Sequence, residues 1–239
     1  MNKPLSQNPN PVPLRQVMPF DWSTAPGKSV LLQRDLASRV VLCPLPKPTL
    51  VAGIDVAYSA AGDMGYAVIV VMKLPNLKVV ETQVGQAKIT CPYRPGLLAM
   101  REGRLNAAIL RKLTVRPDVV IFDGAGVAHP RRYGIASHFG VLFDIPTVGC
   151  AKTPLIPAVV EAGPNRGDFA PLMLDAAVLG ASLRTRPGVK PVYVSPGHRI
   201  DLPGTIEVIL ATTTRYRLPE PVRQAHRLAN SLRAEDRKK

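Results

Sequence analysis

The chain has few cysteines, and they lie far apart. Only Cys43, Cys91 and Cys150 occur among 239 residues, and no two of them form a CxxC motif. Zinc knuckles and disulfide frameworks need closely spaced or numerous cysteines, so neither is expected here. A reducing compartment suits such a chain, and we predict a cytoplasmic protein.

Long apolar runs are also missing. No stretch approaches the roughly 18 uninterrupted apolar residues of a membrane helix, so we expect no membrane span and no membrane partner. The first residues, MNKPLSQNPNPVPLRQ, include one lysine but no apolar segment of the kind found in signal peptides. We expect a chain that acts away from the membrane, as a monomer.

Acidic residues are scarce. Asp and Glu total 17 against 31 Lys and Arg, which gives a formal net charge of +14. This excess favours a polyanionic partner, with nucleic acid ahead of an anionic membrane surface, although a basic protein without such a partner has the same charge. From residue 181 onward, basic residues outnumber acidic ones by 12 to 5. Candidate contacts in this third are Arg215, Arg217, Arg223 and Arg227.

The patterning of the chain predicts one α/β domain. We expect a loose N-terminal arm over residues 1–27, a catalytic domain over 28–235 and a charged tail over 236–239. Short linkers between the first three strands favour antiparallel pairing. The element order resembles a ribonuclease H-like fold, a mixed sheet of three antiparallel and then parallel strands flanked by helices. The predicted helices cover 28–42, 97–113, 131–144, 203–214 and 219–235, and the strands 49–59, 65–74, 77–86, 118–124, 145–150 and a hairpin at 176–195.

Three acids occupy positions where acids are unusual. Asp55 lies within the apolar strand AGIDVAY, and Asp123 ends the run VVIFDG, at the edge where parallel sheets place their sites. Glu102 interrupts an apolar helix face formed by Leu98, Leu105 and Ile109. Buried carboxylates that converge repel each other, and a divalent cation such as Mg²⁺ or Mn²⁺ relieves that repulsion. The alternative is that each acid caps a turn or pairs with a basic residue.

Five long segments resemble the endonuclease V family, in the family's order, from about residue 50 to 230. They are AGIDVAYS (52–59), CPYRPGLLAMRE (91–102), DGAGVAHPRRYGIASHFGVLFDIPTVGCAK (123–152), LRTRPGVKPVYVSPGHRIDLPG (183–204) and YRLPEPVRQAHRLA (216–229). The resemblance implies a ribonuclease H-like core and an endonuclease that nicks DNA at the second phosphodiester 3′ to deoxyinosine, in the repair of deaminated bases. It implies Mg²⁺ as cofactor, with Mn²⁺ as a substitute.

The resemblance also implies roles for individual residues. Asp55, Asp123 and Glu102 match the metal-binding acids, and His226 and Lys152 complete the catalytic set. Tyr93 matches a wedge tyrosine. The remaining substrate-binding positions are Pro95, Gly96, Leu98, Gly124, His129, Gly134 and Ile135. Departures from the family pattern occur at Arg94, Ala125 and Phe169.

The loop of Tyr93 and the glycine-rich segment also predict base recognition on physical grounds, without the family resemblance. Prolines on both sides of Tyr93 stiffen its loop, so the ring is suited to fill the gap left by an extruded base. The glycines of DGAGVAHPRRYG let backbone groups approach a flat base and read the O6 and N1 edge of hypoxanthine, which adenine cannot match. Arg131 and Arg132 beside this loop are predicted phosphate contacts. Tyr93 packed on its own domain and His129 as a structural loop residue are the alternatives.

Other functions fit parts of the same pattern. An endoribonuclease for inosine-containing RNA differs from the DNA enzyme by a few contacts to the 2′-hydroxyl. A non-catalytic nucleic-acid-binding protein is disfavoured because all three acids are intact. A ribonuclease H-like junction nuclease is disfavoured by the proline-flanked loop of Tyr93 and by the segment DGAGVAHPRRYG (123–134), which we call the glycine loop.

Overall fold

One mixed sheet of eight strands organises the chain in the computed structural model, which describes residues 13–22, 25–156 and 160–236. The spatial order is β3-β2-β1-β4-β5-β8-β7-β6. The strands are β1 Leu50–Tyr58, β2 Met64–Lys73, β3 Lys78–Lys88, β4 Val119–Phe122, β5 Thr147–Ala151, β6 Phe169–Leu174, β7 Ala177–Leu183 and β8 Val192–His198. The helices are α1 Pro26–Ala37, α2 Leu98–Leu110, α3 Ile135–Phe143, α4 Leu202–Thr212 and α5 Glu220–Asp236.

The pairing confirms the predicted fold class. β1, β2 and β3 are antiparallel neighbours, and β1, β4 and β5 run parallel to one another. β8 then pairs antiparallel with β5 and forms the predicted hairpin with β7. Parallel strands need a crossover connection, and the helices α2 and α3 supply it on either side of β4.

Two apolar layers cover the sheet. Alternate residues of β1, such as Ala52 and Ile54, face a core shared with α2 and α3. The intervening positions, such as Val51, face a second core with α4 and α5 that includes Val208 and Val222. The central strands are buried on both faces, which explains their nearly continuous apolar sequence.

Several boundaries differ from the expectation. α1 begins at Pro26 and ends at Ala37, five residues before the predicted end. α3 begins only at Ile135, because Arg132 has a φ of +53° and interrupts the helical path. β6 was not predicted. Its Pro171 is tolerated because β6 is the edge strand of the sheet.

The described part of the N-terminal arm packs on the domain. Leu14 is buried, and the Val17 N–H donates to the Leu142 carbonyl at 2.8 Å. Trp22 stacks near Phe139, with 5.9 Å between ring centroids. Residues 1–12 of the predicted arm and 237–239 of the predicted tail lie outside the described residues, so the domain boundaries stay a prediction. No described helix has both the length and the apolar character that a membrane span requires.

Candidate active site

Strand register places two of the three acids side by side. Asp55 is the sixth residue of β1, and Asp123 follows the last residue of β4. The parallel pairing of these strands sets Ile54 opposite Phe122, and the Asp123 N–H lies 3.4 Å from the Ile54 carbonyl oxygen. The two carboxylates therefore lie at equivalent positions of adjacent strands, each one residue beyond the Ile54–Phe122 pair.

Asp55 is paired with a histidine from the last helix. His226 Nδ1 lies 2.7 Å from Asp55 Oδ2, and Asn230 Nδ2 lies 3.2 Å from His226 Nε2. Since the Asn230 amide donates to Nε2, the Nδ1 hydrogen of His226 is directed at Asp55. Burial, helped by the charge of Asp123, raises the pKa of Asp55 to about 6.

Glu102 is the most deeply buried of the acids. The Tyr58 hydroxyl donates to Glu102 Oε1 at 2.6 Å, and Asn106 Nδ2 lies 3.3 Å from Oε2. Burial, and to a smaller degree the charges of Asp55 and Asp123, raise the pKa of Glu102 to about 8. Its carboxyl group therefore favours the protonated form at neutral pH.

Lys152 brings a positive charge to the acids. It follows the last residue of β5, and its Nζ forms an ion pair with Asp123 Oδ2. Burial lowers the pKa of Lys152, but the charge of Asp123, the hydrogen bond to it and the charge of Asp55 act together and raise the pKa above its ordinary value. The Lys152 side chain is 40% exposed and forms part of the wall of the pocket described below.

The three acids interact electrostatically with one another. Within 13–22, 25–156 and 160–236, no group of three His, Cys, Asp or Glu side chains is arranged to hold a metal ion. Lys152 is paired with Asp123, and Glu102 is hydrogen-bonded to Tyr58 and Asn106. The metal-binding role of the acids stays a prediction. The donor chemistry fits a hard cation, because the acids offer only oxygen ligands.

A pocket of about 260 Å³ opens beside the acids. Asp123 and Lys152 form part of its wall, next to Gly124. A Cβ atom at Gly124 would lie 2.6 Å from Ile135 Cγ2, so the missing side chain leaves room in the pocket. Seven predicted substrate-binding residues line it, Pro95 being the exception: Tyr93, Gly96, Leu98, Gly124, His129, Gly134 and Ile135.

His129 is a neutral structural link within the pocket wall. Its Nδ1 accepts the Arg131 backbone N–H at 3.1 Å, so the hydrogen resides on Nε2, which donates to the Gly96 carbonyl at 3.0 Å. Burial lowers the pKa of His129 to about 4. This residue therefore joins the glycine loop to the loop of Tyr93, whose side chain is 64% exposed.

Several arginines predicted to contact nucleic acid form hydrogen bonds or ion pairs within the protein. Arg131 was expected to contact phosphate, but its guanidinium donates to Gln33 Oε1 at 2.7 Å and to the Gly96 carbonyl at 2.8 Å. Arg217 donates to the carbonyls of Lys152 and Pro191 at 2.9 and 2.6 Å. Similarly, Arg223 pairs with Glu220, whereas Arg215 and Arg227 are exposed.

Sequence reasoning missed two residues of the site. Tyr58, which binds Glu102, lies in the matched segment AGIDVAYS, three residues after Asp55, and its position was a usable signal. Gln33 lines the pocket from α1, before the first matched segment. Nothing in the sequence around Gln33 distinguishes it from an ordinary helix residue.

The chain is similar to proteins of one family over most of its length. The family model described as Endonuclease V matches residues 34–227. The endonuclease V of Myxococcus xanthus is 47% identical over 217 residues, 90% of this chain and 92% of that protein. The crystal structure of endonuclease V from Streptomyces avermitilis has 41% identity and a TM-score of 0.85, covering 94% of this chain and 99% of that one.

A further structure is Ciona intestinalis endonuclease V in complex with a 24mer DNA that contains an inosine followed by a ribo-adenosine. It is 26% identical, with a TM-score of 0.77, and covers 87% of this chain and 98% of that chain. These matches show that the chain belongs to the endonuclease V family.

Proposed function

We propose that this protein is an endonuclease that nicks DNA at the second phosphodiester 3′ to deoxyinosine, in the repair of deaminated bases. The observation that carries the proposal is the position of Asp123, which belongs both to the acid group and to the wall of the 260 Å³ pocket. A base held in the pocket brings its own strand to the acids. The inosine-containing DNA bound by the Ciona relative supports the same substrate.

Metal dependence is typical of the endonuclease V family. We propose Mg²⁺ as the metal, with Mn²⁺ as a substitute, because the ligands on offer from Asp55, Asp123 and Glu102 are carboxylate oxygens. These three acids would hold the ion, which would supply polarisation of the phosphate and activation of the attacking water. His226 orients the Asp55 carboxylate. Lys152 places a positive charge beside Asp123 and the bound DNA strand.

Lesion recognition is assigned to the pocket and to the loop that follows β3. Leu98 and Ile135 supply apolar contacts to a flat base, and Gly124 and Gly134 allow close approach of the backbone. Tyr93 fills the space left by the extruded nucleotide, and Pro95 and Gly96 fix its loop. Hypoxanthine offers an acceptor at O6 and a donor at N1, the reverse of adenine, so adenine leaves pocket groups unsatisfied.

Matched oligonucleotides test the function. Four substrates carry deoxyinosine in DNA, inosine in RNA, uracil in DNA or no lesion, and each is incubated with Mg²⁺, Mn²⁺ or a chelator. We expect metal-dependent nicking of deoxyinosine DNA with 3′-hydroxyl and 5′-phosphate ends. Faster nicking of RNA makes the protein an endoribonuclease, and binding without nicking makes it a non-catalytic binder. Monomeric state and cytoplasmic location stay predictions.

A further inference from the structure

The loop that carries Tyr93 is fixed at both ends by side chains that bind its carbonyl groups. We call residues 91–96 the wedge loop. At its start, Arg101 Nη1 donates to the Cys91 carbonyl at 2.7 Å. At its end, the Gly96 carbonyl accepts from Gln33, His129 and Arg131 at 3.0, 3.0 and 2.8 Å. Between these anchors the Tyr93 side chain is 64% exposed.

Gln33 is the residue that joins this end of the loop to the rest of the pocket. Its side-chain Nε2 donates to the Gly96 carbonyl at 3.0 Å and to the Tyr133 carbonyl at 3.1 Å. Its Oε1 accepts from Arg131 Nε at 2.7 Å. The residue is 1% exposed, so one buried amide links α1, the wedge loop and the glycine loop.

We propose that Gln33 is a positioning residue for lesion recognition, which holds the wedge loop at a fixed distance from the base pocket. The inference rests on the proposed function and adds a residue outside the matched family model, which begins at residue 34. Both the wedge and the pocket must engage the same strand at once, so their spacing determines whether an extruded base meets its pocket. Preorganised geometry of this kind improves discrimination because little order must be gained on binding.

The chemistry of the contact requires an amide. Two main-chain carbonyls need donors and one guanidinium needs an acceptor, and a glutamine side chain supplies both from neighbouring atoms. A carboxylate keeps the acceptor but has no hydrogen for Gly96 or Tyr133. An apolar side chain leaves the Tyr133 carbonyl and Arg131 Nε without this partner in a buried setting, which is costly.

Gly96 is adapted to the same contact. Its φ of +77° is one that residues with a side chain rarely adopt. A Cβ atom there would lie 2.6 Å from Arg131 Nη2 and 3.1 Å from His129 Nε2. The loop end is therefore shaped for the close approach of the groups that Gln33 organises.

Cleavage measurements test the proposal. Gln33→Met removes every polar contact and Gln33→Glu removes only the two donors, while Gln83→Met makes the same change on β3. For each variant, kcat/KM is measured on deoxyinosine DNA and on plain DNA, with thermal unfolding as a check of folding. We expect the preference for deoxyinosine to fall about tenfold in both Gln33 variants and to stay unchanged in Gln83→Met. An unchanged preference in folded Gln33→Met overturns the proposal.

Hydrogen exchange gives a second readout that needs no activity. The Leu97 N–H donates to the Arg94 carbonyl at 3.0 Å and closes the turn of the wedge loop. In Gln33→Met we expect this amide to exchange about tenfold faster, while the core Val120 amide keeps its wild-type rate. Equal exchange of Leu97 in variant and wild type contradicts the proposal.

Two further measurements distinguish a folding failure of the Gln33 variants from a failure of the proposed function. If the Gln33 variants do not fold, Arg131→Met breaks the same contact from its other side and must lose the same preference. If the wild type shows no preference for deoxyinosine, the proposed function fails, whereas the exchange of Leu97 still tests the role of Gln33 in fixing the loop.

Discussion

The acids proposed for catalysis and the loops proposed for recognition are held in place by different means. Asp55 and Asp123 are fixed by the register of two parallel core strands, and Glu102 by one turn of a buried helix. The wedge loop has no such strand pairing. It is joined to the glycine loop and to α1 by side chains that bind carbonyl oxygens across long stretches of sequence, above all at Gly96.

This difference separates the two tasks of the site. Register can shift only by breaking many backbone hydrogen bonds, so the acids are rigid and a single substitution there changes chemistry rather than position. A loop held by a few side-chain bonds is displaced by the loss of one of them. We therefore expect substitutions among the acids to abolish the reaction, and substitutions around the loops to reduce selectivity.

The largest effect is expected at the acids. Asp55→Asn or Asp123→Asn removes a charged ligand and should lower the nicking rate at least about a thousandfold, or about 4 kcal/mol of barrier. Binding of deoxyinosine DNA should remain measurable, because the loops are untouched. Single-turnover nicking and gel-shift titration on the same oligonucleotide provide the test. Wild-type turnover in Mg²⁺ by either variant contradicts the assigned metal ligands.

The pH dependence of the free energy of unfolding tests the protonation state of Glu102. Glu102 has its pKa raised from 4.5 to about 8, so the folded chain holds a proton that the unfolded chain has lost between these values. Stability must then fall as pH rises through this window, by about 2 kcal/mol from about pH 6 to about pH 7.5. Denaturant unfolding in chelator should show this slope for the wild type and not for Glu102→Gln. Parallel curves for the two proteins would refute the protonated state of Glu102.

His138 should make the stability of the fold depend on pH in the opposite direction, so that stability falls as the pH falls. It lies buried among Phe20, Trp22 and Tyr133, and neither ring nitrogen has a hydrogen-bond partner among the described residues. Burial lowers its pKa from 6.5 to about 3, so below 6.5 the unfolded chain takes up a proton that the fold excludes.

The expected loss is about 2 kcal/mol of stability between about pH 6 and about pH 4.5. His138→Phe keeps an aromatic ring without a titratable group, and its denaturant midpoint should change less over this range than that of the wild type. The same acid sensitivity in both proteins would mean that other groups cause it.

The positions of the acids and of the pocket residues were predictable from the sequence for a physical reason, and their roles stay predictions. Asp55 and Asp123 stand out because charged residues interrupt apolar strands, and strand register brings them together without further information. Gln33 and the inward orientation of Arg131 were not predictable, because their partners lie 63 and 35 residues away and no local pattern specifies such contacts. β6 was missed because Pro171 weakens the strand pattern, although an edge position tolerates it.

The last effect concerns the tip of the wedge loop. Tyr93 is 64% exposed, lies between Pro92 and the pair Arg94 and Pro95, and lines the mouth of the pocket. If its ring replaces an extruded base, Tyr93→Ala removes base–aromatic stacking of about 1–3 kcal/mol, and the preference for deoxyinosine should fall about tenfold or more. The metal acids remain in place, so weak nicking of plain DNA in Mn²⁺ should persist.

Tyr93→Phe is the matched control, because stacking needs the ring and not the hydroxyl. It should retain most of the wild-type preference, which separates stacking from a hydrogen bond made by the phenol. The measurement compares nicking of deoxyinosine and plain DNA by wild type, Tyr93→Ala and Tyr93→Phe under the same salt conditions. Loss of preference in both variants would assign the role to the hydroxyl. Equal preference in all three proteins would mean that Tyr93 has no role in recognition, which would then depend on the pocket alone.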